Sequence, residues 1–236
     1  MQYLTRSIAV IAVAMVLASA AVVGAEPDVT VDTVVNRYIT ALGGREAIEQ
    51  LQTRECTGRV TSDLTARQPA IYDSHTFRIR ARATHEYLWD DLKDGPGRTS
   101  GFDGTQGWTQ TECGLRPDDK VGTGKIEWLA NPQNALRIKE YFPGLTFAGT
   151  DWADGRECYV LAPADRKPLY YSLYFDIETG LLVWFGDRWV VTDYREVDGV
   201  LFPHKIVAGR KGGSTTYVFE SVRHNAELPD SLFKMP

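Results

Sequence analysis

A short turn signal recurs along this chain and limits its possible folds more than any other feature. Asp94-Gly95, Asp103-Gly104, Asp154-Gly155, Thr179-Gly180, Asp198-Gly199 and Gly212-Gly213 each lie between apolar runs. These residue types tolerate the positive φ that tight β-hairpin turns require. Strands joined in this way run antiparallel, because a parallel pair needs a crossover of about a dozen residues or more. The stretch "HTFRIRAR" has the matching period, with Phe77, Ile79 and Ala81 alternating with Arg78, Arg80 and Arg82. That pattern describes a strand with one apolar and one basic face. Parallel α/β folds are excluded.

Helical periodicity is confined to the start and the middle. In "TVDTVVNRYITALGG", Val31, Val34, Val35, Tyr38, Ile39 and Leu42 recur at three- and four-residue steps, the mark of an amphipathic helix. Thr30 or Asp28 can cap its start, and Gly43 can take the left-handed conformation that ends it. A short second helix is expected over Arg45 to Leu51. Further on, Asn131-Pro132 before "QNALRIKEYF" supplies an N-cap, a proline at the first helical position and apolar residues at 135, 136, 138 and 142. Pro143-Gly144 should end that helix. The order predicts an α+β fold: a strongly curved antiparallel sheet, or unclosed β-barrel, with two N-terminal helices and one mid-chain helix on its concave face. A closed barrel fits the order nearly as well.

The chain opens with a basic "MQYLTR", an apolar run to Val23 and the small-residue ending Val23-Gly24-Ala25. These are the parts of a secretory signal peptide, with cleavage expected after Ala25. The apolar run is short for a membrane span, although an uncleaved anchor is the alternative. No linker or repeat divides residues 26–236, which are expected to form one domain in an extracytoplasmic compartment. The net charge of −5 argues against nucleic acid as a partner, since phosphate binding needs a basic footprint. Six tryptophans and eleven tyrosines supply large apolar area, which serves equally for a core or for lining a cavity. Cys56, Cys113 and Cys158 show no CxxC or Cys/His clustering, so zinc has no support. One disulfide in any of three pairings, or three unpaired thiols, fits their number.

Catalytic motifs fail on inspection. "VGTGKIEW" departs from a phosphate loop at Asp119 and Ile126, no GxGxxG occurs, and Thr216 breaks a GxSxG near Ser214. The histidines at 75, 85, 204 and 224 lack metalloprotease spacing. One pair merits a register test. If Asp198-Gly199 is a two-residue turn, Val197 pairs with Val200, Arg195 with Phe202, and Asp193 with His204 on one side of the sheet. Such a pair could do acid/base chemistry. A bulge would break it, and no nucleophile stands nearby in sequence. Pro203 deletes a ladder hydrogen bond, which marks an edge, a bend or a gap in pairing. The arginine stripe at 78, 80 and 82 could bind an anion, but a solvated outer face balanced by acidic neighbours is the simpler reading.

Several segments in order, "YITALGGREAIEQL", "FDGTQGW", "NPQNALRIKEYFPGLTFAG", "DGRECYVL", "LYYSLYFDIETGLLV", "DYREVDGVLFPHKI" and "LPDSLFKMP", resemble the LolA-like periplasmic family of outer-membrane lipoprotein-sorting proteins. The resemblance spans about Val31 to Pro236. It implies an unclosed barrel lidded by helices, whose apolar interior shelters acyl chains of lipids or lipoproteins, and a monomeric, chaperone-like carrier without catalysis or cofactor. It further implies membrane-bound loading and receiving proteins, and an arginine that helps gate the lid, which the sequence does not assign to one position. Candidate groove residues are Phe77, Ile79, Trp89, Trp108, Trp128, Phe142, Leu173, Phe175, Trp184, Phe202 and Phe219. Two other readings stand beside the carrier: an interaction module with a filled core, and a small hydrolase using Asp193 and His204.

Overall fold

The computed structural model describes residues 29–64, 71–92, 97–119, 121, 125–164, 172–186, 188–210 and 213–236. The expected signal peptide, Asp28, the Asp94-Gly95 turn and Gly212 lie outside them.

Turn chemistry organises the chain into two successive antiparallel meanders. The first runs through β1 (Thr53–Leu64), β2 (Ile71–Arg82), β3 (Tyr87–Leu92), β4 (Arg98–Phe102), β5 (Gly107–Thr111) and β6 (Gly114–Pro117). The second comprises β7 (Leu145–Ala153), β8 (Arg156–Pro163), β9 (Leu173–Asp176), β10 (Leu182–Phe185), β11 (Trp189–Val197), β12 (Val200–Arg210) and β13 (Gly213–His224). β1 pairs with β13, so the meanders fuse into one open sheet with β6 and β7 at its edges. The fold is an incomplete barrel. At Asp154-Gly155 (φ 49° and 75°) and Asp198-Gly199 (φ 52° and 79°) both turn residues have the positive φ that two-residue hairpins demand.

Helix α1 (Val31–Ala41) starts as its sequence dictates, with Thr33 N donating to Thr30 Oγ1 at 3.2 Å and Thr30 N to Thr33 Oγ1 at 2.8 Å. Gly43, at φ 123°, turns the chain into α2 (Arg45–Glu49). A Cβ at Gly43 would lie 2.5 Å from the Gly199 carbonyl oxygen, and Leu201 N donates to Leu42 O at 2.8 Å. The corner between the helices therefore rests directly on the β11–β12 turn.

The mid-chain helix differs from expectation. Helix α3 (Lys125–Ala130) precedes Asn131, a turn of 3-10 helix follows over Asn134–Arg137, and α4 (Ile138–Tyr141) is a single turn. Asn131 is no N-cap. Its N–H closes α3 on Glu127 O at 3.0 Å, and its side-chain oxygen accepts from Gln133 N at 2.8 Å. This local side-chain bond competes with helix propagation, and Pro132 brings no N–H to a continuous helix.

Strand alternation separates the two faces. On the inner face, α1, α2 and α4 pack on Leu161, Leu173, Phe175, Leu182, Phe185 and Val191. Cys56, Val60, Phe77, Ile79, Ala81, Phe202, Ile206 and Phe219 form a second inner cluster on β1, β2, β12 and β13. Outside, Cys158, Val160, Tyr174, Val183 and Trp184 cluster over β8–β10. The C-terminal segment returns to set Phe233 against Leu88 and Trp108, whose Nε1 donates to Phe233 O at 3.1 Å. The arginine stripe is an outer face with acidic partners: Arg80 pairs with Asp90, and Arg82 with Asp230 at 2.7 Å.

Candidate functional site

The inner face holds a pocket where the second cluster is thinly covered. Its walls are Cys56, Ile79, Trp89, Trp189, Phe202, Ile206, Tyr217 and Phe219 from the sheet, with Leu129 and Ala130 from the end of α3 as a roof. Tyr217 stacks on Trp189 at 6.0 Å and takes Trp89 edge-on at 5.8 Å. The cavity volume is about 20 Å³; counting all space out into the solvent at its mouth gives about 380 Å³. The enclosed part holds about one water.

Arg54 is the charged member of this wall, and it is buried, at 4 % exposure. It lies on β1, opposite His224 on β13. Its Nε donates to His224 Nε2 at 3.1 Å, its Nη1 to the carbonyls of Leu129 (3.3 Å) and Asn131 (3.2 Å), and its Nη2 to that of Pro132 (3.2 Å). The guanidinium also lies over the Phe202 ring, 4.6 Å from its centroid. Because a guanidinium has no acceptor, His224 must carry its proton on Nδ1, which donates to Asp198 Oδ2 at 3.2 Å. A line of contacts thus runs from the β11–β12 turn through His224 and Arg54 to the backbone that links α3 to α4. Burial, followed by the Arg54 charge, pushes the His224 pKa down to about 4.

The sheet opens beside this line. β12 pairs with β13 from Lys205↔Val218 to Arg210↔Gly213, and Val200 to His204 have no β13 partner in the ladder. Pro203 sits in that gap, as its missing N–H requires. A second hollow, lined by Tyr38, Leu42, Ile48, Pro132, Val200, Phe202 and Pro203, reaches Arg54 from this side. Arg54 is therefore a partition between two hollows.

The pocket gathers Ile79, Trp89, Phe202 and Phe219 among the candidate groove residues. Phe77 lies just behind them, stacked on Trp89 at 5.3 Å. Trp128, Phe142, Leu173 and Phe175 are in the solid core under the helices. Trp108 lies on the outer face with Leu88, which alternates with the inward Tyr87 and Trp89. Trp184 lies there beside Tyr174 because of a register shift between Leu182 and Trp184. Arg54, Cys56, Leu129, Ala130, Trp189, Ile206 and Tyr217, none of them among the candidate groove residues, complete the lining. For Arg54 the available signal was its place in "TRECTGRV", at even spacing from Cys56 and Val60.

The Asp193–His204 pair does not form. The register is as the turn dictates, with Val197↔Val200, Arg195↔Phe202 and Tyr194↔Pro203. Asp193, however, adopts φ 58°, which shifts the side-chain alternation of β11. Its carboxylate turns outward to Arg195, at 2.9 and 2.7 Å, while the buried His204 bonds the Phe202 carbonyl through Nδ1 at 3.0 Å. Cys56 offers no nucleophile either, since burial pushes its thiol up to about 12. Cys56, Cys113 and Cys158 are all unpaired, and Cys113 is exposed. Among the described residues no group of His, Cys, Asp and Glu could hold a metal ion, and no helix is long and apolar enough to cross a membrane.

With this geometry the chain has a LolA-like fold. It is similar to a DUF1329 family protein from Desulfovibrio piger (TM-score 0.55, 14% identity, covering 86% of this chain and 97% of that one). It also resembles a LolA superfamily protein from Nitrosomonas europaea (TM-score 0.54, 14% identity, 87% and 98% covered). A domain designated outer membrane lipoprotein-sorting protein, from Vibrio parahaemolyticus, aligns with TM-score 0.53 at 11% identity, covering 86% and 96%. At these identities the likeness is one of fold. No family model and no curated protein matches the sequence.

Proposed function

We propose that this protein is a periplasmic carrier that shelters acyl chains of lipids or lipoproteins in the inner-face pocket, after removal of its signal peptide beyond Ala25. The observation that carries this reading is an apolar pocket whose roof, Leu129 to Pro132, is held by a buried arginine through backbone carbonyls. Moving an acyl chain out of water contributes about 0.8 kcal/mol per buried methylene, so such a carrier needs no catalytic group. The enclosed room is small, so loading must lift the roof. Arg54 is the residue whose bonds would break and re-form, which suits the gating role that the resemblance implies. Membrane-bound loading and receiving proteins, a monomeric state and a part in lipoprotein sorting belong to this proposal.

Native mass spectrometry of the full chain, exported with its own leader and purified from the periplasm, tests the reading. Co-purified lipid or acylated peptide is the expected result, and repeatedly empty protein would sink it. One observation favours a rival. Between the helices and β8–β11 the core is filled by side chains, and the enclosed space of about 20 Å³ is small, as an interaction module with a filled interior would have it. Empty protein that still captures a defined periplasmic partner is the outcome for that rival.

A further inference from the structure

We propose that the occupant of the pocket is a single acyl chain ending in an anionic oxygen group, a carboxylate or a phosphate monoester, whose charge pairs with Arg54. This rests on the carrier reading and names the ligand class.

Charge balance is the first argument. Removing a guanidinium from water is costly, and a buried charge is ordinarily kept beside an opposite one. The partners of Arg54 are neutral: His224 and three backbone carbonyls. Among the described residues no carboxylate forms an ion pair with it. Burial lowers its pKa, and the groups that oppose this are the weak acids Cys56 and Tyr38. A cation held in this way lacks an anion, and the pocket is the apolar space that meets it.

Size is the second argument. The closed pocket has a volume of only about 20 Å³, so the roof must lift for even one chain, and a second or third would need a far wider opening. With the anionic end at Arg54, the chain would run along Ile79, Ile206 and Phe219 toward Trp89, Trp189 and Tyr217. The bonds from the guanidinium to the carbonyls are already charge-assisted, and a carboxylate or phosphate adds ion–ion attraction and a bidentate fit that a single carbonyl lacks. The anion therefore competes with the carbonyls of Leu129, Asn131 and Pro132 for the same donors. Recognition of the head group and release of the roof become one event.

The experiment titrates the delipidated mature protein with dodecanoate, dodecyl phosphate and dodecanol, read by calorimetry and by tryptophan emission. Wild type should bind an anionic ligand about ten- to hundredfold tighter than dodecanol. Arg54→Met should abolish that preference while retaining dodecanol binding. Arg54→Lys, which keeps a charge but not the planar fork, should show an intermediate preference and serves if Arg54→Met folds poorly. The order of dodecanoate and dodecyl phosphate identifies the head group. Equal binding of all three, or a preference unchanged in both variants, overturns the inference and leaves the carrier reading standing. Failure of all three to bind overturns both.

Discussion

Beneath α1, α2 and α4 the inner face of β8–β11 is closed by side chains such as Phe175 and Phe185, with exposures of 1 % and 0 %. Across β1, β2 and β13 the same face meets Leu129 and Ala130 from the end of α3 and keeps a hollow. The difference lies in what holds each cover down. In the solid half Trp128 sets its ring edge-on against Phe142 at 5.1 Å and Phe185 at 5.4 Å. Such packing has no substitute in water. Over the hollow, Arg54 holds the roof by hydrogen bonds to carbonyls, and those groups can exchange partners with water or with a ligand. One half anchors the helices, α3 among them through Trp128, while the last residues of α3 over the hollow are held by bonds that can exchange.

Mutations should separate the two halves, with the largest effect in the solid one. Phe175→Ala should cost about 3–5 kcal/mol in urea denaturation, because its ring packs 5.2 Å from Tyr38 with no space to relax into. Ile206→Ala, equally buried but bordering the hollow, should cost about 2 kcal/mol, the low end for such a truncation. Equal losses at the two sites would remove the distinction between the halves. Arg54→Met should change global stability by less than about 2 kcal/mol, since lost carbonyl bonds are offset by relief of a buried charge. Its effect should instead appear as faster amide exchange over residues 129–133. Exchange spread evenly through α1 and β8–β11 would mean that the roof does not open by itself.

The smallest effect is one of pH. The folded-state pKa of His224, about 4, lies below its ordinary value of 6.5, because its ring is buried beside Arg54. Between those values the unfolded chain binds more protons than the folded one. The contribution of His224 is therefore complete above pH 6.5 and is lost as pH falls toward 4. The charged groups facing the ring are Arg54 on β1 and Asp198 in the β11–β12 turn. His224→Gln, which still offers Arg54 an acceptor, should flatten the stability profile in that window. An unchanged profile would assign the slope to other groups.

The sheet was legible in the sequence because its instructions are local. Asp198-Gly199 sets its own hairpin register, Thr30 caps its own helix, and Pro203 marks a gap whichever strands surround it. The mid-chain helix misled because Asn131-Pro132 carries the signals of a helix start. The same asparagine ends α3 through its backbone and holds a turn through its side chain. Asp193 misled for a similar reason: its place opposite His204 was readable, its left-handed φ was not. The pocket was the least legible part. Trp184 and Trp189 are both strand tryptophans in "LLVWFGDRWVV", and which one faces inward depends on the register shift between Leu182 and Trp184. Arg54 resembles any strand arginine until Leu129, Asn131 and Pro132, some 75 residues later, close over it.

The seam between β1 and β13 joins residues as far apart as Arg54 and His224, 170 positions along the chain. Pairing strands so distant means closing a long loop before any contact repays it, so assembly should be slow. It also means that the middle of the sheet is the last part to be synthesised. A chain held back at its C-terminus, whether at the ribosome or in an export channel, would present two half-sheets with bare inner edges. Removing β13 would not trim a border. It would cut the sheet in two and leave β1 and β12 as open templates for pairing with other chains.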